Sequence, residues 1–192
     1  MMRTFLRSLL PLLALLTVLT GCDTMKPEQF AKQTPALALE DYFQGQTRAY
    51  GIVEDRFGNV RRQFVVNIKG DWNGKELTLD ENFDWNDGEK ERRVWVLTRK
   101  GPNQWEGRTQ DAIGTATGLI SGNAYNMVYD FNLKMGEGRT KVRFDDWMFL
   151  MPDGMLLNRA TISKFGIHLA TVTIAFRKDV PGVAAGSQQA AE

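Results

Sequence analysis

The feature that most restricts how this chain folds is an apolar alternation with a period of two, restarted after each of a series of turn signals. Phe64, Val66 and Ile68 share one face of an extended segment; Leu77, Leu79, Phe83 and Trp85 share another; Tyr125, Met127, Tyr129, Phe131 and Leu133 form the cleanest stripe. Successive side chains of a strand point to opposite faces, so each run describes a strand with one buried face. The runs are punctuated at Phe57-Gly58-Asn59, Trp72-Asn73-Gly74, Asn86-Asp87-Gly88, Lys100-Gly101-Pro102-Asn103, Ser121-Gly122-Asn123, Gly136-Glu137-Gly138, Pro152-Asp153-Gly154 and Phe165-Gly166. Such residues adopt turn conformations cheaply. No long amphipathic helix interrupts the series. The pattern predicts an all-β fold, an antiparallel up-and-down meander of about 8–10 strands closing into a barrel, because closure also removes exposed strand edges. A two-sheet sandwich and an open curved sheet are the alternatives.

The two ends read differently. Arg3 and Arg7 precede the apolar run SLLPLLALLTVL, which leads to Leu19-Thr20-Gly21-Cys22. A basic start, a short apolar core and small residues at a cut site are the marks of a secretory leader, too short to span a bilayer. Leu-Thr-Gly-Cys resembles the lipobox of bacterial lipoproteins, in which the cysteine is acylated and becomes the mature N-terminus. Cys22 is the one cysteine of the chain, which excludes a disulfide, a thiol nucleophile or a cysteine metal site in the folded body. Several acyl chains on one residue make a stable anchor, each buried CH₂ contributing about 0.8 kcal/mol. Asp23 resembles the inner-membrane retention signal of enterobacterial lipoproteins; the outer membrane is the alternative. The expected organisation is a leader over 1–21, a lipid-anchored tether with a short helical turn over 22–40, one barrel domain over 41–178, and a disordered tail over 179–192, where the sequence is small, polar and aperiodic.

Of the 24 basic residues, 22 remain once Arg3 and Arg7 are removed with the leader, against 23 acidic ones. A near-neutral body argues against nucleic acid as a partner and against a polybasic membrane patch. The basic run EKERRVWVLTRK is interleaved with acids and reads as a solvated strand. With the single histidine, His168, and no ligand spacing, no metal is expected, nor any other cofactor.

The polar residues inside apolar strands are the candidates for a site. In DDWMFLMPDGMLLNRATISKFG (residues 145–166) a type I turn closing on a glycine bulge sets Met151 opposite Met155. Trp147 then faces Arg159, with Asp145 on the diagonal, and a cation–π-capped ion pair is expected there. Asp146 and Asn158 meet on the other side. Both sides are apolar enough to face a core, so the sequence leaves open which points inward, and the outer one needs cover from the tether segment or a membrane surface. Glu81 falls in phase with Leu79 and Phe83, so it points into the core and needs a partner; Arg93, in phase with Trp95 and Leu97, is the expected one. Gly114, Ala116 and Gly118 allow a close approach to the backbone.

From Tyr42 to Lys178 the chain resembles the bacterial lipoproteins of the domain of unknown function 3833. The likeness is carried by YFQGQTRAYGIVEDRFGNVRRQF, GDWNGKELTLDENFDWNDGEKERRVW, DAIGTATGLISGNAYNMVYD and DDWMFLMPDGMLLNRATISKFG. It implies a lipocalin-like or calycin-like barrel by analogy, and no activity or catalytic residue. The expectation is a membrane-anchored, periplasm-facing lipoprotein that binds or shields an apolar, lipid-like ligand. The alternatives are an envelope interaction protein with a filled barrel and an isomerase or cyclase using Glu81 or Asp146.

Overall fold

The computed structural model describes residues 25–178; the leader, Cys22, Asp23 and the tail 179–192 lie outside the described residues. A 3-10 turn at Pro27–Phe30 and a short helix α1 at Leu39–Phe43 precede ten strands. These are β1 (Gly45–Asp55), β2 (Val60–Trp72), β3 (Glu76–Trp85), β4 (Lys90–Arg99), β5 (Gln104–Arg108), β6 (Ala112–Ser121), β7 (Ala124–Met135), β8 (Gly138–Leu150), β9 (Leu156–Lys164) and β10 (Ile167–Lys178). Each strand pairs antiparallel with the next, and β1 pairs with β10 from Thr47↔Lys178 to Asp55↔Ala170, so the sheet closes on itself. The fold is the expected barrel. Among the described residues no helix is long and apolar enough to cross a membrane.

Eight of the turns fall where glycine, asparagine or proline marked them. The β5–β6 turn was not marked, because Thr109-Gln110-Asp111 contains neither glycine nor proline. The β8–β9 register is the one that the turn chemistry specifies: Met151 N–H donates to Met155 O at 2.8 Å, Gly154 takes a φ of 84°, and Trp147 pairs with Arg159.

Helix α1 closes one end of the barrel. Leu39, Tyr42 and Phe43 are buried. The Tyr42 hydroxyl donates to Phe176 O at 3.1 Å, and the Phe43 ring meets Phe176 edge-on at 5.7 Å. Arg99, at the end of β4, pairs with Glu40 of α1 and lies 5.0 Å from the ring centres of both Trp72 and Trp105. Around this plug Leu77, Leu156, Ile68, Trp105 and Tyr125 lose at least 99% of their accessible surface. Five residues of α1 are too few to show a helical period in the sequence, so its role as a plug was not legible.

The outer face of β8 is covered as well. Phe30, from the 3-10 turn, packs against Trp147 at 5.7 Å and Phe149 at 5.2 Å. Leu37 N–H donates to Gly122 O at 2.9 Å, which ties the same segment to the β6–β7 turn. The segment before α1 is thus the cover that a strand apolar on both sides requires.

Glycine makes the plug possible at Gly70, where an added Cβ would lie 1.9 Å from the carbonyl oxygen of Phe43. Backbone cannot swing aside as a side chain can. Gly70→Ala is therefore expected to lower stability by about 2 kcal/mol or more; an unchanged urea midpoint would show that α1 is not seated on β2.

Candidate functional site within the barrel

The interior differs along the barrel axis. Near α1 it is filled by the residues named above. Towards the other end, the mouth, the inward-pointing Val53, Trp85, Glu91, Phe144 and Val172 stay half-buried, as do Glu81 and Arg93 midway along the axis, while Phe64, Phe131, Val142 and Ile162 are buried. The mouth-side walls are rich in aromatic rings. Phe64 meets Phe83 at 5.4 Å and Trp85 at 4.9 Å; Tyr129 stacks on Phe144 at 4.9 Å and meets Trp95 edge-on at 5.2 Å.

Polar groups are set into these walls. Asp146 points inward, with Asn158 from β9, and the two meet: Asn158 Nδ2 donates to Asp146 Oδ1 and also, at 3.1 Å, to Trp147 O. Both are buried. Burial pushes the Asp146 carboxyl up to about 6, against the opposing pull of hydrogen bonds from Asn158 and Tyr129. Glu81 lies opposite Arg93 in the β3–β4 register. Its carboxyl is pushed up to about 7, first by burial, then by the nearby Asp146, while Arg93 pulls it down.

Glu81 is desolvated enough to favour its neutral form, yet it keeps accessible surface midway along the barrel wall. Its neighbours across the strand pairs are Ile68 and Arg93.

Arg93 is held more closely by a residue that the sequence reading passed over. Its Nη2 donates to Glu91 Oε1 at 2.5 Å, and its guanidinium sits 5.2 Å from the Phe83 ring and 5.0 Å from that of Phe131. Glu91 also accepts from Trp85 Nε1 at 3.3 Å. Burial opposes the charge on Arg93, but the fields of Glu81 and Glu91 outweigh it and hold its pKa above the ordinary value. The signal for Glu91 was present, since it falls in phase with Arg93 and Trp95. The close salt bridge of Arg93 is therefore to Glu91, and Glu81 is left as its cross-strand neighbour.

At the rim Arg62 lies 3.8 Å from the Trp85 ring centre and pairs with Asp87 and Glu89; Lys134 reaches Glu89 at 3.1 Å. Of the small residues in GTATG, Gly118 lies under the Tyr125 ring, whose hydroxyl would be 2.3 Å from an added Cβ, and Gly114 sits at an irregularity in the β6–β7 register. His168 meets Thr171 Oγ1 at 3.0 Å.

Asp145, Trp147 and Arg159 face outward, and the ion pair expected among them does not form. Asp145 accepts instead from Asn126 Nδ2 of β7 at 2.7 Å, and Trp147 stacks on Phe149 at 6.0 Å. The reason is topological: Asp145 has a second neighbouring strand, β7, whose asparagine is closer than the diagonal arginine on β9.

Fold and interior together define a closed ten-strand antiparallel barrel, plugged at one end and polar-lined within. The chain belongs to the DUF3833 family, proteins of unknown function, whose family model matches residues 16–178. Among solved structures, the S-type phycobiliprotein lyase CPES from Guillardia theta has a similar fold, with a TM-score of 0.53 and 9% identity over 82% of this chain and 99% of that one. No curated protein matches the chain in sequence.

The raised carboxyl pKa values carry a stability signature. An acid whose folded pKa lies above its unfolded value binds more protons when folded, so its contribution is full below the unfolded pKa and is lost as pH rises through the folded one. From Glu81 at about 7 and Asp146 at about 6, stability should fall between roughly pH 4.5 and 7. Glu81→Gln should flatten the upper part of that slope and stabilise the protein at pH 8 by on the order of 1–2 kcal/mol. Parallel slopes for the two proteins would place Glu81 in water.

Proposed function

We propose that this protein is a membrane-anchored lipoprotein of the bacterial envelope whose barrel binds an amphipathic, lipid-like molecule in its mouth-side half. The observation that carries this reading is the pair of interior carboxyls, Glu81 and Asp146, set among inward-facing aromatic side chains. Arg93 and Glu91 balance one another, and Glu81 and Asp146 add two further carboxyls to the interior. Burial disfavours the charged form of both. A ligand with an apolar chain and a head that donates hydrogen bonds would satisfy both the rings and the carboxyls. The fold likeness to a phycobiliprotein lyase supports a barrel that handles a molecule and does not identify it. The action is passive: the apolar walls hold the chain, and the polar groups orient the head.

The anchor in this reading is Cys22, acylated with palmitate-type chains after removal of residues 1–21. Asp23 favours retention in the inner membrane with the barrel facing the periplasm. Cys22→Ser should abolish incorporation of a labelled palmitate analogue; persistent labelling would rule out this attachment site.

Ligand binding is tested by mass spectrometry of organic extracts from the purified mature protein. The expected result is a lipid species absent from a denatured control and depleted in Glu81→Gln and Asp146→Asn. An extract indistinguishable from the control would refute the reading.

A further inference from the structure

The exposed large apolar residues are not spread evenly around the barrel. Tyr50, Phe57, Val60, Met135, Met151, Leu157, Phe165 and Ile167 all belong to β1, β2 and β7–β10 or their turns; β3–β6 contribute Ile113 among the described residues. In the closed sheet those strands are contiguous, running β7-β8-β9-β10-β1-β2, so they form one flank. The flank carries a shallow groove of about 560 Å³, lined by Tyr50, Ile52, Val65 and Ala175 among others.

At the mouth the flank ends in apolar tips. Phe165 is 93% exposed and Phe57 75%. They sit on the β9–β10 and β1–β2 turns, which are neighbours because β1 pairs with β10. Phe165 takes a φ of 53°, a left-handed conformation that glycine or asparagine occupies more cheaply. A bulky ring held there at a backbone cost, and pointing into water, has no structural use within the barrel. Each tip has a cation beside it: Arg56 lies 4.7 Å from the Phe57 ring and Lys164 Nζ 5.6 Å from the Phe165 ring. The adjoining β3–β4 turn carries Asp87 and Glu89, and both are paired with Arg62 of β2.

Apolar tips flanked by cations suit a bilayer surface, where the rings enter the acyl boundary and the cations meet anionic head groups. The start of the described chain is on the same flank, since Phe30 packs on the outer face of β8. We infer that the β7–β10–β1–β2 flank and the Phe57 and Phe165 tips rest on an anionic bilayer surface, bringing the barrel mouth to the lipid interface. The inference extends the proposed ligand reading by naming where the molecule enters, and it uses the proposed acyl anchor only to hold the protein near that surface.

The test uses the mature acylated protein in vesicles of phosphatidylethanolamine and phosphatidylglycerol that contain a spin-labelled lipid. Bimane is attached to Phe57→Cys, Phe165→Cys or, on the opposite flank, Thr117→Cys. The inference expects loss of fluorescence at positions 57 and 165 and none at 117. Equal loss at all three positions, meaning free tumbling on the tether, would overturn it. So would absence of loss at 57 and 165, including the case in which those positions are shielded only after other envelope proteins are added. Lipid found in the organic extract is a separate readout, so failure of either idea leaves the other to stand or fall on its own.

Discussion

Pairing of β1 with β10 is the constraint on which everything else depends. An open sheet of these ten strands would have one wet face, and its polar residues would need no special account. Closure gives the sheet an inside, and any carboxylate that the alternation places there must be neutralised, hydrogen-bonded or paired. The chain meets this demand unevenly. Arg93 and Glu91 satisfy one another, Asn158 serves Asp146, and Glu81 moves towards its neutral form.

Two halves of one barrel therefore serve different ends. Near α1 the interior is packed to exclusion of solvent, with Arg99 held against Trp72 and Trp105 and tied to Glu40. Towards the mouth the walls are aromatic, with Trp85 and Phe144 half-buried, and the interior acids are found there and midway along the axis. The interior polar groups thus lie away from the most tightly packed, plugged end.

Much of this was legible in the residues. Period-two alternation and turn chemistry gave the fold class and the β8–β9 register, because both are local properties of the backbone. The inward pointing of Glu81 followed from its phase with Leu79 and Phe83. What the residues did not show depends on neighbours remote in sequence. A hairpin register names one neighbour of a strand and not the other, so the Asn126 partner of Asp145 and the outward direction of Trp147 were hidden. Nothing local marks Phe30 as the cover for Trp147, nor the residues of α1 as a plug. Glu91 was visible in phase but was overshadowed by the directly opposed Glu81–Arg93 pair.

The central claim is that the mouth-side interior admits an apolar chain. The most direct measurement is tryptophan quenching by a brominated long-chain amine titrated into the purified protein, since bromine quenches an indole on contact. Trp85 and Trp95 line the interior, whereas Trp147 lies outside beneath Phe30. The account predicts saturable quenching that is reduced in Trp85→Phe and Trp95→Phe and unchanged in Trp147→Phe. Quenching that disappears only in Trp147→Phe, or none in the unaltered protein, would contradict it.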